Sequence, residues 1–234
     1  MFRFFKRWFP SKDEVKKPKH AMKQAVAMLR REYDGKPFTE ENVHADPIQQ
    51  FSDWFDVAID KIHHDPNAMM LATTSPEGQP TTRTVLLKGF DGKGFVFYTN
   101  YNSRKANHIS GNPGVSLTFY WPDLMRQIHI EGKAEKVSAA QSDSYFKTRP
   151  DSSKLSAWAS DQSSPVESRE ELENRLKEME KKFGKGEVPR PPHWGGYIVK
   201  PDQIEFWQGR LNRLHDRIRY KKIKEAWEIE RLSP

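Results

Sequence analysis

Cysteine is absent from all 234 residues, which removes disulfide scaffolds, thiol nucleophiles, thiolate zinc sites and iron–sulfur clusters. That absence is compatible with a reducing compartment, and the cytoplasm is the expected location. No apolar run approaches the roughly 18 residues that a spanning helix needs, and mean hydropathy is -0.88, so no integral membrane segment is expected. Acidic charge is in short supply: 39 Lys and Arg stand against 32 Asp and Glu, a net charge of +7. The excess is local. Residues 1–24 hold eight cations and two anions and so account for +6 of it. The remainder is nearly neutral, which argues against a nucleic-acid partner. The Walker loop, HExxH and GxSxG signatures are missing too, and Gly92 with Gly94 falls in a hairpin rather than between a strand and a helix. His63 and His64 are adjacent, so on a helix they diverge and cannot chelate one metal.

What is present begins with a basic extension, residues 1–20, in which Phe2, Phe4, Phe5, Trp8 and Phe9 interleave with Arg3, Lys6 and Arg7. Pro10 stops any helix early, and the segment reads as a loose terminal extension, with contact to an anionic membrane surface the alternative. Residues 21–234 read as one domain. A helix is expected over Ala21–Tyr33, and a second after the Asp46-Pro47 cap, carrying Ile48, Phe51, Trp54, Phe55, Ala58, Ile59 and Ile62 at helical spacing up to Asp65-Pro66. Strand text follows in AMMLATTS, TTRTVLLKGF, GFVFYTN, GVSLTFYW and RQIHIEGKAEKVS, with a hairpin at Asp91–Gly94 and a short helix from Asn102 or Ser103. Ser138 caps a helix through Phe146, and a longer helix after Ser164-Pro165 carries Leu172, Leu176, Met179 and Phe183. YIVKPDQIEFWQG and AWEIERL then bracket a polar segment, Arg213–Arg217. Strands joined by hairpins, with helices inserted, predict an antiparallel α+β fold, a small barrel or split barrel with helical additions.

Three features suggest anion chemistry. Ser103-Arg104-Lys105 places cations at a helix N-terminus, where the dipole disfavours them unless an anion binds the exposed N–H groups; a solvated basic turn is the alternative. Arg83 and Lys88 lie in a run whose Val85, Leu86 and Leu87 look buried on both faces, so these charges need partners. Strict alternation puts positions 83 and 88 on opposite faces, so joint use of them requires a bulge, or Lys88 at the strand end. Finally, WQGRLNRLHDR packs Trp207, Arg210, Arg213, His215 and Arg217 into eleven residues. Two phosphate-binding constellations far apart in sequence suggest two phosphorylated small molecules, or one cofactor and one substrate.

With these residues in hand, the chain from Leu29 to Pro234 resembles the pyridoxamine 5'-phosphate oxidase family. The resemblance is carried by LRREY, RTVLLK, FVFYTN, NSRKA, RQIHIEGKAE, YFKTRP, SAWASDQSS, HWGG, IEFWQG, RLHDR and ERLSP, in the family's order. It implies an FMN-binding split barrel that dimerises with FMN in the interface, residues 192–234 contributing to dimer and active site. It assigns Arg83, Thr84, Val85, Leu86, Leu87, Lys88, Tyr98, Thr99, Arg104, Lys105, Gln127, Gln162, Ser163, Trp207 and Arg217 to FMN. Lys88, Tyr145, Arg149 and Ser153 are assigned to the substrate phosphate, and Arg213, Leu214 and His215 to its pyridine end. Arg30, Arg31, Glu32 and Tyr33 would close over the site as a lid. Arg213 and His215 are the implied catalytic pair, with Asp65 a further candidate for the proton transfer. The implied reaction oxidises pyridoxine 5'-phosphate or pyridoxamine 5'-phosphate to pyridoxal 5'-phosphate at C4', with O2 reduced to H2O2, a step of vitamin B6 synthesis and salvage. A related oxidase acting on a phenazine-type substrate, a non-catalytic flavin carrier and a basic binding module are the rivals.

Overall fold

Asp46 begins the first regular helix as its sequence demands. Its carboxylate accepts from the Ile48 N–H at 2.9 Å, and Pro47, which has no N–H to satisfy, takes the first position. Helix α1 (Pro47–Lys61) buries Phe51, Trp54 and Ala58 on one face and ends four residues before Asp65-Pro66. The computed structural model describes residues 26, 28–184 and 186–234. The basic extension and the first part of the helix expected over 21–33 lie outside the described residues. The last part is corrected: residues 29–33 are in no regular element. Residues 33–234 form one compact unit, distinct from the unit that contains residues 26 and 28–32.

Within that body run β1 (Ala68–Thr74), β2 (Pro80–Leu86), β3 (Gly89–Asp91), β4 (Gly94–Asn100), α2 (Arg104–Gly111), β5 (Gly114–Trp121) and β6 (Arg126–Lys136). They are followed by α3 (Ala139–Lys147), α4 (Asp151–Ala159), α5 (Arg169–Phe183), β7 (Trp194–Gln208), β8 (Asp216–Ile223) and β9 (Ala226–Arg231). All pairings are antiparallel, in the order β2-β1-β5-β6-β7-β4-β3, with β8 added to β7 and β9 to β8. The sheet curls into a half-barrel with helices inserted, the split-barrel α+β arrangement.

Strand β7 organises the sheet. Its first half pairs with β4, its second half with β8, and both halves with β6. At one point Glu131 faces Gln203 while Gly132 faces Pro201, leaving Asp202 as an extra residue on β7. Glycine is required opposite that bulge, because a Cβ on Gly132 would lie 2.0 Å from the Lys200 carbonyl oxygen. Alternation does the rest. Leu117, Phe119, Ile128, Ile130, Ile204, Phe206, Ile218 and Tyr220 point inward and are fully buried. Phe51 from α1 packs its ring 4.8 Å from both Phe90 and Phe95, and 5.3 Å from Phe119.

Three further expectations are corrected. The run TTRTVLLKGF breaks after Leu86, and β2 is an edge strand, so only Leu87 is buried; Val85 is half-buried and Leu86 exposed. The segment after Pro150 forms α4, with that proline at its N-cap position, where no helix is expected from the sequence. Part of the polar segment 213–217 is the start of a strand: β8 begins at Asp216 and buries Ile218 and Tyr220 against β7.

Candidate functional site

Lys105 is the most revealing side chain in the molecule. It occupies the second position of α2, is only 8% exposed, and has no carboxylate against it among the described residues. Its ammonium donates to Gln162 Oε1 at 2.8 Å, Thr99 Oγ1 at 3.2 Å and Ser103 Oγ at 3.3 Å, all neutral acceptors. Burial, reinforced by the charge of Arg83, brings its pKa down to about 8. Arg83 is held in the same way. Its guanidinium donates to the Leu71 carbonyl at 3.1 Å, to Thr73 Oγ1 at 2.7 Å and to Thr81 Oγ1 at 2.5 Å. Its pKa is lowered by burial and then by Arg104, the first residue of α2.

Both cations line a cleft of about 760 Å³ together with Thr84, Val85, Leu86, Lys88, Tyr98, Thr99, Tyr145, Thr148, Arg149, Pro150, Ser153, Gln162 and Trp194. No acidic side chain is among them. None of Arg83, Lys88, Arg104, Lys105 and Arg149 forms an ion pair among the described residues. Lys88 reaches the cleft because β2 has ended; its N–H donates to the Val96 carbonyl at 2.8 Å, carrying the chain across to β4. The strand-end alternative therefore resolves the facing problem of positions 83 and 88.

The cleft wall is aromatic. Tyr98 stacks on Tyr145 with centroids 3.9 Å apart and on Trp194 at 5.5 Å. Gly196 makes room for this, since a Cβ there would lie 2.7 Å from Tyr98 Cε1.

The second cluster stands at the far end of β7. Trp207 pairs across the sheet with Gln127 on one side and Arg217 on the other. Tyr33 meets the rings of Trp207 and His215 edge-on at 5.6 and 5.4 Å. The His215 Nδ1 accepts from the Arg210 N–H at 3.1 Å, so the neutral ring carries its proton on Nε2. Burial, and secondarily Arg213, lowers the His215 pKa and favours that neutral form. Arg213 is exposed in a turn where it and Asn212 both take left-handed backbone angles, φ 59° and 56°. Arg217 differs: it makes a two-pronged ion pair with Glu205 at 2.7 and 3.0 Å.

The structure thus gathers Arg83, Thr84, Val85, Leu86, Lys88, Tyr98, Thr99, Lys105, Tyr145, Arg149, Ser153 and Gln162 in one cleft, and groups Tyr33, Gln127, Trp207, His215 and Arg217 elsewhere, with Arg213 and Leu214 in the adjoining turn. Leu87 is buried beneath the cleft, its N–H donating to the Asn67 carbonyl at 2.9 Å. Ser163 follows Gln162 with a left-handed φ of 76°. Arg30, Arg31 and Glu32 belong to the preceding unit. Asp65 lines a separate cavity with His63, His64 and Asp123. Sequence reasoning missed Trp194, Thr148 and Pro150 in the cleft and Glu205 under Arg217; all four lie in segments that carry the resemblance, HWGG, YFKTRP and IEFWQG.

Residues 55–183 match the family model described as pyridoxamine 5'-phosphate oxidase, and residues 194–234 match the pyridoxine 5'-phosphate oxidase C-terminal dimerisation region. A pyridoxine/pyridoxamine 5'-phosphate oxidase of Rubrobacter xylanophilus is 56% identical over 209 residues, covering 89% of this chain and 96% of that protein. One from Gloeothece citriformis is 53% identical over 214 residues, 91% of this chain and 100% of that protein. Among solved structures, PhzG from Burkholderia lata, in complex with tetrahydrophenazine-1-carboxylic acid, superposes with a TM-score of 0.81 at 27% identity, covering 86% of this chain and 100% of that one.

Proposed function

Because this chain belongs to the pyridoxamine 5'-phosphate oxidase family, we propose that it oxidises pyridoxine 5'-phosphate and pyridoxamine 5'-phosphate to pyridoxal 5'-phosphate, using FMN and reducing O2 to H2O2. The observation that carries this reading is the cleft in which Arg83, Lys88, Lys105 and Arg149 converge without a carboxylate. Burying uncompensated cations is costly, and dianionic phosphates would relieve that cost. The donor set suits a phosphorylated cofactor: Arg83, Arg104 and Lys105 would hold the FMN phosphate, while Thr84–Leu87, Tyr98, Thr99, Gln162 and Ser163 would border the rest of it. FMN, when bound, supplies the two-electron acceptor that the protein lacks and passes those electrons to O2.

The chain's own residues bind, orient and handle protons. Lys88, Tyr145, Arg149 and Ser153 would anchor the substrate phosphate, fixing C4' in place and lowering the entropic part of the barrel-bound reaction's barrier. Arg213 and His215 would take the pyridine end, His215 donating from Nε2 because Nδ1 is already occupied. Arg213 would favour proton loss from the alcohol or amine by its charge. The alcohol gives the aldehyde directly; the amine gives an imine that water hydrolyses to the aldehyde and ammonia.

Gln127, Trp207 and Arg217 would complete the FMN site from a second copy of the chain. Tyr98 faces Gly196 and Gln127 faces Trp207, eleven residues further along β7, a distance of about 35 Å along the strand. That separation favours a shared site in a homodimer, as do the match to a dimerisation region and the exposed outward side chains Met70, Leu86 and Tyr120. No helix among the described residues is long and apolar enough to cross a membrane; we place the enzyme in the cytoplasm.

The test is direct. The purified protein is expected to be yellow, to sediment as a dimer and to release peroxide on addition of pyridoxine 5'-phosphate. A yellow protein that yields no peroxide would be a flavin carrier, and one that prefers a non-phosphorylated aromatic acid would be a phenazine-type oxidase.

A further inference from the structure

Arg149 lies in the link between α3 and α4, and its Nη1 is buried without a hydrogen-bond partner. What holds this guanidinium is carbon. It lies 4.5 Å above the ring of Trp194 and 5.5 Å from that of Phe146, and burial lowers its pKa. Trp194 is itself fixed from three sides: Tyr98 and Tyr145 lie parallel to it at 9° and 5°, and Phe146 meets it edge-on at 5.1 Å. Its carbonyl accepts from Arg190 Nη1 at 2.6 Å, and Arg190 Nε pairs with Asp143 of α3 at 2.7 Å. That strut ties the start of β7 to the helix that carries Tyr145 and Phe146.

We infer that Trp194 is a positioning residue that holds Arg149 by its π face and so sets the enzyme's preference for the phosphorylated over the unphosphorylated form of its substrate. The inference rests on the proposed function for the identity of the substrate. A carboxylate could hold Arg149 equally firmly, but it would occupy the N–H donors and cancel the charge that an incoming phosphate needs. A ring face does neither. Arg126 shows that such burial alone does not make a site: it also lies over an indole, Trp54 at 4.3 Å, and its Nη1 is likewise buried without a partner, but its Nε donates to Gln208 at 3.0 Å and it does not line the cleft.

The experiment compares wild-type holoenzyme with Trp194→Leu and Trp194→Phe, using pyridoxine 5'-phosphate, pyridoxine, and inorganic phosphate as a binding probe followed by calorimetry. Loss of the ring face is expected to raise KM for the phosphorylated substrate about 10- to 30-fold, with kcat within about threefold and flavin content unchanged. The dissociation constant of inorganic phosphate should rise in parallel, and KM for pyridoxine should stay put. Trp194→Phe should recover most of the loss. In an Arg149→Leu background, Trp194→Leu should add less than about a twofold effect, because the two act as one unit. Equal KM changes for both substrates, full additivity with Arg149→Leu, or unchanged phosphate binding would overturn the inference. Should Trp194→Leu not fold, Trp194→Phe alone decides: a small KM rise confined to the phosphorylated substrate supports the inference, and none overturns it. Failure of wild-type enzyme to oxidise either substrate would sink the proposed function separately, since phosphate binding is measured without turnover.

Discussion

The cleft and the C-terminal strands both concentrate arginine, yet they use it in opposite ways. In the C-terminal strands the guanidinium groups are spoken for: Arg210 lies 3.3 Å from Asp216, Arg217 pairs with Glu205, and Arg231 bridges Glu40 and Asp216 at 2.7 Å each. Those partners raise the Arg217 and Arg231 pKa values and hold Glu40 down at about 2. In the cleft, Arg83 and Arg149 meet neutral oxygens or ring faces, and burial lowers their pKa values. A cation with a carboxylate beside it fastens strands together; one without is held ready for an anion from outside. Arg213 belongs to neither group: it is exposed in a left-handed turn and forms no ion pair among the described residues.

The largest expected effect separates that residue from its paired neighbour. Arg213→Leu should remain a yellow, folded dimer whose kcat/KM falls at least about 100-fold, roughly 2.7 kcal/mol of transition-state stabilisation. Arg217→Leu should instead release flavin. Flavin loss in the first variant but not the second would reverse the two assignments. Next in size, Arg104→Ala should lose flavin on dialysis, as a charge-assisted phosphate contact contributes roughly 1.5–3 kcal/mol; a mutant that stays fully yellow would remove Arg104 from the proposed contacts to the FMN phosphate.

A smaller effect is a pH dependence peculiar to the cleft. Burial, with the charge of Arg83, holds the Lys105 pKa down at about 8 in the folded protein, against an ordinary lysine value of 10.5. Above pH 8 the folded apoprotein loses that proton while the unfolded chain keeps it. Binding of FMN to apoprotein should therefore weaken by up to about tenfold per pH unit above 8 and take up a proton near that pH, both measurable by calorimetry. The sign for stability is the reverse: the buried charge is the unfavourable form, so apoprotein stability should rise from pH 8 towards 10.5. Lys105→Met should abolish both trends. The smallest effect lies outside both regions: removal of residues 1–20 should leave turnover unchanged within error, and a large loss in the same peroxide assay would make the extension part of the site.

Much of this arrangement was legible before any coordinates. Asp46-Pro47 and Ser138 mark helix starts because capping is local chemistry, Ser103 holds the N-cap position of α2 with its hydroxyl turned to Lys105 instead, and alternation in GVSLTFYW exposes its buried face directly. Helix α4 escaped because DSSKLSAWA buries no residue fully and so has no apolar stripe to read. Strand β8 escaped because Ile218 and Tyr220 sit among Arg217, Arg219, Lys221 and Lys222. Pairing is the least legible layer. Glu205 neutralises Arg217 only through the register of β7 with β8, and Arg149 meets Trp194 across 45 residues of sequence.

The extra residue at Asp202 has one more consequence, which is a matter of parity. Before it, the β7 side chains in the hydrophobic core are odd-numbered, Tyr197 and Val199, while Trp194 lies on the opposite, cleft face; after it the core side chains are even-numbered, Ile204 and Phe206. One added residue shifts the phase of everything downstream. Without it, the same string of side chains would turn Trp207 and Glu205 into the hydrophobic interior and push Ile204 and Phe206 onto the outer face. The chemistry of the C-terminal cluster therefore hangs on an odd count in a single strand. Any insertion or deletion between Pro201 and Gln203 would have to come in twos to keep the cluster facing outward.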